Sequence, residues 1–508
     1  MGDRVNIAEE FGRQAILTPG GLAILTRFGK LSYAELDKLV WRATTLLSQL
    51  GVKAGQTNAL AFVDELSLLV YLLASMRLGC ASMVLPNGLP SAQLSDMLAS
   101  VKPDTWLTDS KSPYSESINV IQLNMDSVSK VTLTIDYSLC CPNPDVTCLY
   151  TFGSGSTGRQ KLISYTHQQL FEAVNRTRQQ YLLTTKDRLA TMVNLNFISA
   201  QRRYFAALLS GAAVVIPNRA KLNPVKLVKI YQVTVLSATV SYIAGFLNSL
   251  PENPKRQKMT FLRILLLSSS TVSDALRERI RKHLTPNLYI TYGTNECPAM
   301  TWAGPPDIYD VAGTVGFPMD GVNLQVVDDM GAVVPPGIIG QVRVQAPGLV
   351  THYADDPEAS QQAFREGWFY PGDLARYTQD GQLVFCGRAD HMMIMNGINI
   401  YPAEIENVVG SHPDVLDVAA VPLKCAITQD IPICAASFRA GATVSPGELK
   451  TFAAQRLGVR CPHHVVRLDE IPRDERGKLN RETLELKLTG LVKSLNRGKS
   501  ASIEAGFR

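Results

Sequence analysis

The chain has 508 residues, more than one hydrophobic core serves, so two to four domains are expected. Apolar residues make up 46% and charged residues 19%, the balance of a globular protein and not of a disordered one. A formal net charge of +5, without clustered Lys or Arg, argues against nucleic acid and suits a phosphorylated small molecule or an acidic partner protein.

The first fourteen residues are polar and of mixed charge, so no signal peptide is expected. Asn6 stands where a myristoylation site needs Ser or Thr. Helical spacing over 32–51 is followed by a strand over 57–63, a helix over 65–79, a strand over 81–86, a helix over 91–101 and a strand over 104–109. The rhythm resumes with a helix capped by Thr166, a strand over 189–194, a helix over 200–211 and a strand over 212–217. A buried strand over 262–270 and a helix over 273–284 follow. Such alternation predicts an α/β fold with parallel or mixed sheets covered by helices. After about Thr314 the texture turns to strands and turns, a β-rich lobe, and a fresh α+β rhythm runs from Met392 to Leu488. The expected division is 1–388, a mobile C-terminal domain over 389–490, and a disordered tail over 491–508. The apolar runs are too short and interrupted to span a bilayer. Nine scattered cysteines without a C-x-x-C pair suggest reduced thiols and a cytoplasmic location.

Between strand and helix lies "YTFGSGSTGRQKLISYTH", residues 150–167. It matches G-x-G-x-x-G, yet the residues after Gly158 look extended, and no acidic residue stands where a ribose partner belongs. A Walker A loop would need Lys-Ser or Lys-Thr where Arg159-Gln160 stands. The composition still suits phosphate: glycines expose backbone amides, Ser154, Ser156 and Thr157 add hydroxyls, and Lys161 adds charge.

The order Ser154-Gly155-Ser156-Thr157-Gly158, then Lys161, then Thr166-His167, resembles the phosphate loop of the adenylate-forming superfamily: acyl- and aryl-CoA synthetases, nonribosomal peptide adenylation domains and luciferases. Gly153, Gln160 and Leu162 depart from its usual Thr, Pro and Gly. Tyr292-Gly293-Thr294-Asn295-Glu296 is similar to the family's Tyr-Gly-x-Thr-Glu, which implies adenine stacking for Tyr292 and Mg²⁺ for Glu296. Asn295 replaces the Thr that touches the α-phosphate, and its amide could donate there instead. Ser268, Ser269 and Ser270 occupy the place of the Gly-Gly-Ala-Pro beside adenine. The tract 367–406 resembles the family over some forty positions. It implies ribose binding by Asp373 and Arg388, a hinge at Asp390 and a thiol channel at Gly397; Ile394 departs from a common Lys. Lys478, in "PRDERGKLNR", matches the catalytic lysine that bridges carboxylate and α-phosphate.

The resemblance implies ATP-dependent activation of a carboxylic acid to an acyl-AMP, then transfer to a pantetheine thiol of coenzyme A or a carrier protein, with ATP and Mg²⁺ required. Amino-acid-activating relatives carry an Asp after an aromatic residue. Here Phe197 and Ile198 hold those places, with Asn196 beside them, so neutral-tailed aryl or short acyl acids are expected and α-amino acids are not. Arg202 and Arg203 read as a solvated helix face, although Arg202 could meet a polar group of the acid. The alternative reading is a catalytically silent nucleotide-binding relative.

Overall fold

The computed structural model describes residues 6–86, 91–110, 118–133, 135–140, 143–153, 160–217, 223–250, 259, 261–268, 272–396, 398–425, 429–473 and 478–498. Ser154, Gly155, Ser156, Thr157, Gly158, Ser269, Ser270 and Gly397, all singled out above, lie outside the described residues.

The expected alternation builds two sheets. In the seven-stranded one, Leu288–Ile290, Ile264–Ser268, Val235–Thr239, Arg188–Thr191, Ala213–Ile216 and Leu22–Thr26 lie parallel in that order. Lys30–Ser32 closes one edge antiparallel. In the six-stranded one, Asn119–Gln122, Thr105–Thr108, Thr57–Ala61, Ala81–Val84 and Thr147–Gly153 are parallel, and Lys161–Thr166 returns antiparallel at the edge. Both faces of such strands are covered, which is why they read as apolar runs.

Two helices are buried on every side. In Glu65–Leu78, every residue from Ser67 to Leu78 is buried; Asp64 caps its start and Gly79, in the left-handed region, ends it. In Ile198–Leu209 all residues but Ser199 are buried. A helix buried all round lies inside the protein rather than on its surface. The helix His167–Tyr181 begins on the expected Thr166, whose side chain accepts from the Gln169 amide while Gln169 returns the bond.

Residues 301–388 supply an eight-stranded antiparallel sheet, the expected β-rich lobe. Beyond it, a five-stranded sheet centres on the paired strands Val415–Cys425 and Gln429–Phe438. Alternate residues of that pair face two small cores. Ala420, Cys434 and Ala436 pack on helices Pro402–Gly410 and Pro446–Leu457, and Ala419, Val421, Ile433 and Ala435 pack on Leu484 and Leu488. The last helix, Arg481–Gly498, corrects the expected tail: the chain is helical past position 491, anchored through the fully buried Leu484 and Leu488. Residues 499–508 lie outside the described ones. No described helix is long and apolar enough to cross a membrane.

Candidate active site

Asp373 opens the strand Asp373–Tyr377 and stands opposite Arg388, the last residue of Leu383–Arg388. The carboxylate is 5% exposed. The Tyr292 hydroxyl donates to its Oδ2 at 2.6 Å, and Arg388 Nη1 lies 3.5 Å from Oδ1. Burial, the largest influence, pushes the Asp373 carboxyl up to about 6, against the pull of Arg388 and the Tyr292 bond. Burial and the Asp373 charge likewise push the Tyr292 hydroxyl well up. The adjacent Gly372 has φ of +78°, and a Cβ there would come within 3.0 Å of the Arg388 guanidinium, so glycine alone fits.

Arg388 also ties this corner to the next segment. Its Nε and Nη2 donate to Asp390 at 3.2 and 3.0 Å. Asp390 sits in the short 3₁₀ turn Ala389–His391. His391 lies 3.7 Å from Asp390, but burial pushes its imidazole down to about 4, so at neutral pH this contact is not an ion pair.

Toward the other end, Tyr292-Gly293-Thr294-Asn295-Glu296 follows the strand Leu288–Ile290 as a tight turn. Thr294 and Cys297 exchange hydrogen bonds across it, and a Cβ on Gly293 would fall 2.6 Å from the Ala299 nitrogen. The Asn295 amide donates to the Phe152 carbonyl at 3.2 Å, so one of its two hydrogens is engaged within the protein. Glu296, 8% exposed, accepts from the Tyr353 hydroxyl at 3.0 Å. Lys161 Nζ lies over the Tyr353 ring, 4.6 Å from its centre. Tyr353 therefore links the two charged groups, and sequence reasoning missed it. It bridges to Ile163 as an isolated strand pair, and nothing near it in the sequence marks that contact.

A third compartment lies at the start of the Ile198–Leu209 helix. Phe197 is its N-cap without a side-chain bond, and Ile198 is 4% exposed. The Asn196 amide donates to the Leu85 carbonyl at 3.1 Å. The solvated-face reading of Arg202 and Arg203 fails: they are 6% and 7% exposed, because this helix is covered on all sides. Burial, before any other influence, pushes the Arg202 guanidinium down.

All the described candidate residues line one cleft of about 1260 Å³: Lys161, Asn196, Phe197, Ile198, Arg202, Tyr292 through Glu296, Asp373, Arg388, Asp390 and Lys478. Lys478 reaches it from the stretch between the strand His464–Arg467 and the helix Arg481–Gly498, and Ser268 borders it as well. Among the described residues no three His, Cys, Asp or Glu side chains gather to hold a metal. A lone buried carboxylate fits Mg²⁺, which keeps most of its shell as water and substrate phosphate.

Two parallel sheets around buried helices, an antiparallel lobe and a small α+β domain sharing one such cleft define the adenylate-forming class of enzyme. The chain belongs to the AMP-binding enzyme family: residues 11–354 match the family itself and 404–478 match the AMP-binding enzyme C-terminal domain. It is 27% identical to indoleacetate–CoA ligase of Aromatoleum aromaticum, over 94% of this chain and 97% of that one. It is also 27% identical to part of a dimodular nonribosomal peptide synthase of Bacillus subtilis, covering 94% of this chain but 21% of that protein. Its fold follows that of o-succinylbenzoate coenzyme A synthetase from Bacillus subtilis, solved in complex with ATP and magnesium ion, with a TM-score of 0.82, 24% identity and coverage of 94% and 99%.

Proposed function

We propose that the protein is an AMP-forming acid–thiol ligase, acting on an aryl or short to medium acyl acid. The observation that carries this is the shared cleft: the buried Asp373 with Arg388, Lys161 and Glu296, the Phe197–Ile198 compartment and Lys478 all face one space. Asp373 accepts the ribose hydroxyls, with Arg388 beside it, and Tyr292 lies against adenine. Lys161, with the serines and threonine of 154–157, holds the leaving pyrophosphate. Glu296 would hold Mg²⁺, which supplies charge neutralisation along the phosphates.

In the first step a carboxylate oxygen of the acid bonds to the α-phosphorus of ATP. The bond to the β-phosphate oxygen breaks, and pyrophosphate leaves with the electron pair. Lys478 brings the two anions together and stabilises the charge as it shifts, which is where a fixed cation lowers a barrier most. In the second step a pantetheine sulfur, of coenzyme A or a carrier protein, bonds to the acyl carbon and AMP departs. We place the moving unit at 389–490, pivoting at Asp390, so that Lys478 withdraws and the face carrying Gly397 lines the thiol channel.

The test is ATP–pyrophosphate exchange over a panel of aryl, aliphatic and amino acids. Exchange with aryl or acyl acids is expected. Exchange with no acid, while ATP still binds, would instead identify a silent nucleotide-binding relative.

A further inference from the structure

The Ile198–Leu209 helix carries two arginines, Arg202 and Arg203, with no ion pair among the described residues. Arg202 Nη1 meets only neutral acceptors, the Tyr165 hydroxyl and the Asn295 carbonyl, both at 3.4 Å. Its other two nitrogens make no hydrogen bond among the described residues. Arg203 is better satisfied, by Tyr181 and Ser268 hydroxyls and the Ser199 carbonyl, each at 3.1 Å. The ionised groups that act most on Arg202 are Arg203 and Arg176, both positive; the Glu296 carboxylate, which acts on the same Tyr165 hydroxyl, makes no ion pair with it. Of the other buried arginines, Arg77 pairs with Asp37 at 2.8 Å, Arg277 donates to the carbonyls of Val272, Ile308, Val311 and Thr314, and Arg176 donates to those of Pro298 and Pro347; of the buried arginines that make no ion pair, only Arg202 and Arg203 have the cleft beside them to admit a partner. A buried charge without a counter-charge is costly, so its persistence points to a partner that arrives from outside.

The place of Arg202 says what that partner is. It stands four residues beyond Ile198, on the same face of the helix and about 6 Å further along it, and it lines the cleft. The reacting carboxylate and the phosphates already have Lys478 and Lys161, so Arg202 is a cation in excess of their needs. We infer that Arg202 is a specificity-determining residue that binds a second carboxylate on the acid, so that the preferred substrates are dicarboxylic acids with an apolar middle against Phe197 and Ile198. This rests on the ligase reading above and replaces the expectation of a neutral tail. A planar guanidinium can grip that carboxylate through two parallel bonds, which a lysine cannot.

Pyrophosphate exchange tests this with acids differing only in a terminal carboxylate: hexanoate against adipate, and phenylacetate against 4-(carboxymethyl)benzoate. Wild type is expected to favour each diacid in kcat/KM by about tenfold or more. Arg202→Met should depress diacid kcat/KM at least ~30-fold more than monoacid kcat/KM, mainly through KM, with Arg202→Lys between. Wild-type preference for the monoacids overturns the inference without any variant, as does an Arg202→Met loss equal for both acids, which would place Arg202 at the reacting carboxylate. If wild type exchanges with no acid, the ligase reading fails separately, and calorimetry of adipate with AMP-loaded protein decides. Adipate binding weakened by Arg202→Met supports the site, and equal or absent binding overturns it.

Discussion

Replacing Asp373 by asparagine keeps the shape of the ribose corner and removes its ionisable group. The folded carboxyl sits at about 6 against an ordinary 3.8, chiefly through burial. A value raised on folding means that the fold holds the proton more tightly than the unfolded chain. Stability from this group is therefore complete below the unfolded value, falls as pH rises and the unfolded chain ionises first, and levels off above about pH 6. Roughly two units at 1.36 kcal/mol each set the full deficit at about 3 kcal/mol, most of which accrues between pH 4 and pH 8. The D373N variant titrates in neither state. Its stability relative to wild type should rise by that amount over the same range. At about 2.1 cal/mol/K per residue over this length, that is a gain in Tm of roughly 2–3 °C, readable by thermal denaturation of the ligand-free protein. Adenosine, which carries no phosphate to titrate, reports the functional side. Wild-type affinity for it should fall by up to about tenfold per pH unit below about pH 6, and D373N should bind it weakly at every pH, by about 2 kcal/mol. Parallel melting curves for the two proteins across the whole range would refute the reasoning, because a carboxyl that strains the fold cannot be silent in both.

Lys478→Ala should slow acyl-AMP formation by orders of magnitude, about 3 kcal/mol or more, and leave thiol transfer from supplied acyl-AMP largely intact. Gly397→Leu should do the reverse; single-turnover kinetics of each step separates them, and equal loss of both steps would end the swinging-domain assignment. Glu296→Gln should raise the Mg²⁺ concentration for half-maximal exchange by about tenfold or more, measured by metal titration. Ile198→Asp alone should not confer amino-acid activity. Arg202 lies four residues on along the helix and would neutralise the new carboxylate, so only Ile198→Asp combined with Arg202→Ala should gain amino-acid exchange.

The α/β sheets were legible because strands covered on both faces leave apolar runs at regular spacing, and the meeting of Asp373 with Arg388 because both lie close in one dense tract. The burial of Arg202 was not. Periodicity ranks the faces of a helix but does not say that a second layer covers the polar one, and "AQRRYFAALL" reads as amphipathic until both sides are filled. Tyr353 escaped for a different reason. Its partner Glu296 is 57 positions away, and a lone tyrosine hydroxyl has no spacing to betray it. Asn295 lines the cleft, but the engagement of its amide by Phe152 depends on a strand far upstream and could not be read locally.

The segment proposed for pyrophosphate joins the antiparallel pair Thr147–Gly153 and Lys161–Thr166, the second of which is an edge strand, with Gly153 paired to Lys161, and the next helix starts only at His167. In the proposed role the attraction for the phosphates falls chiefly to Lys161, whose ammonium lies over the Tyr353 ring. A fixed dipole holds its anion equally before and after reaction. A cation on a flexible stem, with a ring to return to, can follow the departing product outward, so under the proposed reaction the same residue would draw ATP in and ease pyrophosphate out.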